Sequence, residues 1–196
     1  MSLNWINVEE YSFNSFLMME RFQIRILLRT AEQDKALAGQ LGIALRANPA
    51  VCWYFLHKCP ECSAVVRALG EKKQNAAREQ DTRAAELYVL SAVEDFVIYT
   101  TPEVMDEKCD FIYAWEKERL FELDDFRGKT VLDVGSGSGR LAFAAAEQAV
   151  EVYASEPVDT LREFLRDKIK REQIGNIRVV DGMADSLAYP DNTFDI

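Results

Sequence analysis

The sequence predicts an α/β protein: an all-helical region over residues 1–125, then the first half of a parallel sheet flanked by helices over residues 126–196. Three observations predict it. The first 125 residues carry helix-start signals and apolar residues at helical spacing. After Gly128, short β-branched runs alternate with amphipathic stretches. Gly135, Gly137 and Gly139 stand between the first of those runs and the helix after it.

In the first region, Thr30 and Gln33 make a capping-box pattern ahead of AEQDKALAGQLGIAL. Asn48 and Pro49 read as an N-cap and first helical residue, opening PAVCWYFLHK. Cys59-Pro60 repeats that signal, and Gly70 reads as the stop of the helix it opens. The polar run EKKQNAAREQ reads as a solvated connection or a helix end. Asp81 caps TRAAELYVLSAVEDFVIY, where Leu87, Leu90, Val93 and Val97 recur at helical spacing. Thr101-Pro102 opens a last helix, continued through Phe111, Ile112 and Trp115.

In the second region, residues 130–134 form the first strand and RLAFAAAEQA a helix. Residues 152–155 form a second strand. VDTLREFLRDKIKREQ then makes an amphipathic helix with Leu161, Phe164, Leu165, Lys168 and Ile169 on or near one face. Residues 177–180 are the third strand, and Phe194-Asp195-Ile196 reads as the start of a fourth. Strands alternating with helices imply βαβ units and a parallel sheet.

The chain has 196 residues, 48% of them hydrophobic, with 33 acids against 23 bases and a formal net charge of −10. That composition is globular, not disordered. The imbalance is spread over both regions, 21 acids to 14 bases in residues 1–125 and 12 to 9 in residues 126–196. No basic stripe offers itself to a phosphate backbone, so no nucleic-acid partner is expected. No run reaches the roughly 20 apolar residues of a membrane span, and no secretory leader pattern opens the chain. The four cysteines are too few for a disulfide-stapled scaffold, so a cytoplasmic setting is the expectation.

The glycine loop narrows the chemistry. Glycine there admits positive φ and lets a ligand lie against bare backbone. The helix beyond carries partial positive charge at its start, which suits a ligand anion. The dinucleotide fingerprint G-x-G-x-x-G fails, because its last glycine is Arg140 here. A phosphate-binding Gly-Lys-Ser/Thr ending is also absent from the loop.

The residues Asp133-Val134-Gly135-Ser136-Gly137-Ser138-Gly139, then Glu156 in VYASEP, then VVDGMADSLAYPDNTFDI, occur in that order and in βαβ context. With these three motifs, residues 126–196 resemble the class I S-adenosylmethionine-dependent methyltransferases, particularly the ubiquinone/menaquinone-biosynthesis type. The resemblance implies a Rossmann-like doubly wound sheet of seven strands and S-adenosylmethionine as cofactor. It implies that Gly135, Ser136, Gly137 and Gly139 face the methionine part of the cofactor, with backbone N–H groups toward the carboxylate. Asp133 would attract the ammonium, and Glu156 would accept from the two ribose hydroxyls. The family usually places an acid two residues before the position of Asp185, where this sequence has Met183. Either Met183 flanks the adenine, or Asp185 or Asp181 supplies the acceptor.

Against that resemblance the chain closes at Ile196 inside what becomes a central strand, so an incomplete, inactive catalytic domain is expected. Its first strand is then an exposed apolar edge, which invites a dimer or higher assembly. Residues 1–125 are expected to act as a lid, substrate wall or dimerisation module. The expected activity is methyl transfer to a small-molecule acceptor, with no catalytic residue assigned. The alternative is a non-catalytic ligand-binding or dimerisation protein that keeps the loop.

Cys52, His57, Cys59 and Cys62 lie within eleven residues. All are zinc-ligating types, but no second matching pair accompanies Cys59-x-x-Cys62, and Cys109 stands alone. The reading is a helix–helix corner with buried thiols and no metal. Trp53, Tyr54 and Phe55 are consecutive and cannot share one helix face. His57, the only histidine, is expected to serve packing or surface rather than base catalysis.

Overall fold

A computed structural model describes residues 7–71, 79–93, 96, 99, 101–109 and 114–196. Its chain divides into two compact units, Met1–Thr100 and Thr101–Ile196. The division lies well before Gly128, where the sequence pattern changes. Val97, Phe111 and Ile112, and most of the polar run after Gly70, fall outside the described residues.

The first unit is helical: α1 Arg21–Gln33, α2 Lys35–Ala47, α3 Pro49–Lys58, α4 Ser63–Glu71 and α5 Glu79–Ala92. Two 3-10 turns, Val8–Glu10 and Phe13–Met18, precede α1, and a third, Pro60–Cys62, joins α3 to α4. The expected helix start at Thr30 is not there. Thr30 lies inside α1 and its hydroxyl donates to the Ile26 carbonyl. The capping box is at Glu20 and Gln23, and the chain breaks at Asp34, whose carboxylate accepts from the Ala36 and Leu37 amides. Asp34 wins because its carboxylate reaches two orphan donors at once.

Pro49 opens α3 as expected, but Asn48 does not cap with its side chain. Its amide instead donates to the Ala44 carbonyl and to Glu86 of α5. Gly70 sits inside the last turn of α4 and Asp81 inside α5, so neither marks the boundary expected of it. One core joins these helices through Leu27, Leu41, Leu45, Phe55, Val66 and Leu90. Trp53, Tyr54 and Phe55 point three ways. Phe55 is fully buried, the Tyr54 hydroxyl donates to the Met19 carbonyl at 2.8 Å, and Trp53 is 60% exposed. His57 stacks on Trp53 at the surface.

The second unit starts with α6 Pro102–Lys108 and α7 Glu118–Phe121. α6 ends at Cys109, so Trp115 lies in a loop and not on the extended helix expected. A three-stranded parallel sheet follows, in the order β1-β2-β3: β1 Thr130–Val134, β2 Glu151–Ser155, β3 Ile177–Val180. Thr130 pairs with Glu151, and Val152 with Ile177. α8 Arg140–Ala146 connects β1 to β2, and α9 Asp159–Glu172 connects β2 to β3.

Val131, Val152, Ala154 and Ile177 meet Ala142, Ala145 and Leu165 in one core. Tyr153 alternates to the other sheet face, where it meets Tyr189 and Phe194 with ring centroids 6.0 and 5.3 Å away. Among the described residues there is no fourth strand, contrary to the expectation for Phe194-Asp195-Ile196. The Ile196 amide nevertheless bonds to the Thr130 carbonyl, and the Leu132 amide to the Ile196 carbonyl, as in a parallel ladder. The outer edge of β1 is thereby covered between Thr130 and Leu132.

Gly139 is where helix and sheet close on each other. Its φ is +90°, and a Cβ there would lie 2.5 Å from Leu165 Cδ2 and 2.8 Å from Phe143 Cδ2. Gly139→Ala is expected to destabilise this unit by about 2–5 kcal/mol, combining left-handed strain with overpacking. Gly128→Ala, also at positive φ but facing open space, should cost only about 1–2 kcal/mol. Urea unfolding of the two variants checks the difference, and equal losses would mean that the Leu165 contact relaxes freely.

Candidate functional site

The loop between β1 and α8 is built almost wholly from backbone. Gly135, Gly137 and Gly139 all have positive φ, which lets the chain turn twice within seven residues. The Gly135 and Ser136 amides share the Ser155 carbonyl at the end of β2, at 2.8 and 3.1 Å. Gly139 N–H closes the loop on the Ser136 carbonyl at 2.8 Å. Ser136, Ser138 and both inner glycines are buried.

Glu156 holds this loop from the neighbouring strand. It is only 4% exposed. One carboxylate oxygen accepts from the Gly137 amide and the other from the Val158 amide, each at 2.9 Å. Burial pushes its carboxyl above the ordinary range, against the pull of those two amides and of the Arg162 charge. Arg162 donates to the Glu156 carbonyl and pairs with Asp159 and Asp181. The expectation put both Glu156 oxygens on ribose hydroxyls; in this structure each already serves a backbone amide.

A cavity of about 330 Å³ opens over the loop. Asp133, Gly135, Ser136, Gly137 and Ser138 form one side, and Met105, Trp115, Arg140 and Leu141 form the rest. Two tethers hold the upper wall. Lys168 of α9 pairs with Asp106 of α6 at 3.0 Å and reaches the Ser138 carbonyl at 3.4 Å. Arg140 donates to the Trp115 carbonyl. With α6 so placed, Met105 Cε would be 3.2 Å from a Cβ on Gly137, so any side chain there would push the wall away.

Three polar atoms of the cavity-lining residues are unsatisfied. Asp133 Oδ2, Ser138 Oγ and Arg140 Nε are buried without a hydrogen-bond partner, as is Ser155 Oγ beside the loop. Each such atom costs about 1–3 kcal/mol if nothing pairs with it. Burial also pushes the Asp133 carboxyl above its ordinary value, opposed by Ser136 and the Ala142 amide. The site therefore offers an acceptor and two donors around a small apolar-walled space. An α-amino acid group, with ammonium and carboxylate on one carbon, matches that arrangement.

Of the residues expected from sequence, the fold brings Asp133, Gly135, Ser136 and Gly137 to the cavity. Gly139 serves packing against Leu165, and Glu156 stands behind the loop. Met183 and Asp185 do not line the cavity. They lie in a turn closed by the Ser186 amide on the Met183 carbonyl, with Asp185 exposed. The sequence marks Trp115 only as the continuation of the Thr101-Pro102 helix and does not single out Met105, since a Met and a Trp upstream of a strand look like core. Arg140 was legible only as the residue that breaks the dinucleotide fingerprint.

Residues 131–196 match a family model described as a methyltransferase domain. Over this segment the chain is similar to methyltransferase domains. A demethylmenaquinone methyltransferase from Geobacillus sp. (strain WCH70) is 30% identical over 84 residues, covering 41% of this chain and 36% of that protein. The ubiquinone/menaquinone biosynthesis C-methyltransferase UbiE of Francisella tularensis is 31% identical over 85 residues, covering 41% of this chain and 34% of that protein. This chain thus spans about a third of the length of the curated relatives it matches. A crystal structure of a SAM dependent methyltransferase from Aquifex aeolicus aligns at 24% identity and a TM-score of 0.44, over 50% of this chain and 53% of that one. Among the described residues, no helix is long and apolar enough to cross a membrane.

The methyltransferase segment should show a pH signature. Asp133 is held above its ordinary value of 3.8, so between the unfolded and folded values the folded state binds the additional proton. Stability contributed by that proton falls as pH rises through the interval. Asp133→Asn, isosteric and uncharged, should remove this component and be the more stable form at neutral pH. Urea unfolding of both forms from acid to neutral pH measures it, and identical profiles would sink the argument.

Proposed function

We propose that residues 101–196 bind S-adenosylmethionine with its methionine end in the cavity over the glycine loop, and that the protein transfers the methyl group to a small-molecule acceptor. The observation that carries this reading is the set of orphaned polar atoms around one loop. Asp133 Oδ2 would accept from the ammonium, while Arg140 Nε and Ser138 Oγ would donate to the carboxylate. The missing Cβ at Gly137 keeps the backbone bare beneath the ligand.

When bound, the cofactor supplies an electrophilic methyl on a sulfonium sulfur. Methyl transfer is an in-line displacement, so alignment and a dry site are the protein's main contribution. Met105, Trp115 and Leu141 supply the apolar wall that excludes water. Glu156 keeps the loop in register and has lone pairs left for ribose hydroxyls. The turn at Met183 and Asp185 is the proposed adenine contact. The helical unit before Thr101 is the proposed lid or substrate module. The names of the similar proteins make a demethylated menaquinone the first acceptor to test.

Calorimetric titration with S-adenosylhomocysteine tests the reading, and no binding by the folded chain would overturn it. Arg140→Gln and Asp133→Asn should each weaken that binding about ten- to hundred-fold, as expected for losing a charged hydrogen bond worth about 1.5–3 kcal/mol. Both variants should bind 5′-methylthioadenosine, which lacks the amino-acid group, as the parent does. Equal loss for the two ligands would mean that the substitutions damage the loop and do not remove a direct contact. Binding without transfer to any acceptor would favour the non-catalytic alternative.

A further inference from the structure

We infer that Cys59 and Cys62 form a reversible dithiol–disulfide couple at the corner between α3 and α4. The Cys59 thiol donates to Cys62 Sγ at 3.0 Å, so the two sulfurs already face each other. Backbone geometry brings them together. Cys59 ends α3, with its amide on the Phe55 carbonyl, and the Cys62 amide returns to the Cys59 carbonyl at 3.0 Å. Pro60 stiffens the turn between them, so forming the bond demands little further ordering.

The two thiols are unequal in the way an exchange couple requires. Cys59 is fully buried, and Cys62 is half-buried. Burial pushes the Cys59 thiol up to about 12, so it stays protonated and closed to outside reagents. Cys62 is therefore the entry point and Cys59 the resolving thiol. The oxidant is a low-molecular-weight disulfide, RSSR. The Cys62 thiolate attacks it, forming Cys62–S–SR and releasing one RS⁻. Cys59 then gives up its proton, attacks Cys62 sulfur and releases the second RS⁻. Two protein thiols become one disulfide, and RSSR becomes two RSH.

A metal explains the corner less well. Glu61 lies within 4.8 Å of both sulfurs, but both of its oxygens are held by Arg21 at 2.8 and 2.9 Å. The carboxylate that a metal would need is thus already engaged by that guanidinium. Among the described residues, His57 is not part of the group whose ligand atoms come together with these sulfurs. Two thiolates on zinc also stand about 3.7 Å apart at the usual bond length.

The couple can be read on one peptide. Trypsin releases residues 59–67, CPECSAVVR, which holds Cys59 and Cys62 and no other cysteine. Incubating the native chain with glutathione disulfide, alkylating and digesting should give this peptide two hydrogens lighter, with no alkyl group. Reduced glutathione should restore two alkylation sites. In Cys59→Ser, Cys62 should stop at the glutathione mixed disulfide; in Cys62→Ser, Cys59 should stay unmodified while native and react once unfolded in urea. Circular dichroism confirms that each variant is folded. A native chain whose peptide keeps two alkylatable thiols under conditions that oxidise the urea-unfolded chain would overturn the inference. So would stoichiometric zinc that is retained on purification and blocks oxidation until chelated.

Discussion

The carboxylate of Glu156 is the contact on which the second unit's site depends. It reaches from the end of β2 to the Gly137 amide and so fixes the middle of a loop with almost no side chains of its own. A glycine loop has no rotamers to lock and a large backbone entropy to suppress. The shared Ser155 carbonyl pins its entrance, the Gly139 turn pins its exit, and Glu156 pins the span between them. The hydrogen bonds are backbone to buried acceptor, which are the strong kind when the acceptor is charged. Their counterweight is the buried carboxylate itself, raised in pKa by desolvation and by the neighbouring Asp133 charge.

The same loop holds buried polar atoms that nothing in the chain satisfies. Folding normally pairs such groups, so an unpaired set concentrated at one loop is stored cost and not noise. The orphaned atoms belong to Asp133, Ser138 and Arg140, and the contacts from Lys168 to Asp106 and from Arg140 to Trp115 hold the apolar wall beside them. On the proposed reading, a ligand with matching charges would recover the stability given up here.

The first unit follows a different logic. Its helices are set by caps and by a continuous apolar core, with few buried polar groups. Chemistry there is confined to the α3–α4 corner, where a tight turn places two sulfurs together beside an ion pair. That corner depends on local backbone geometry alone.

The amino-acid sequence by itself determined the strands, the helices after Gly128, the parallel order of the sheet and the position of the glycine loop. These are local: β-branched runs, helical periodicity and glycine spacing act over a few residues, and Asp133, Gly135 and Gly137 are near neighbours in the chain. Helix boundaries in the first unit were less legible, because Asp34 competed with Thr30 for the same role and only the folded chain shows which donors each can reach. Tertiary structure alone decided that Met105 and Trp115 face the loop, that Glu156 turns inward to Gly137, and that Arg140 lines the cavity. Each of those depends on segments apart in sequence being brought together, by Lys168 on Asp106, Arg140 on the Trp115 carbonyl and Glu156 on the Gly137 amide.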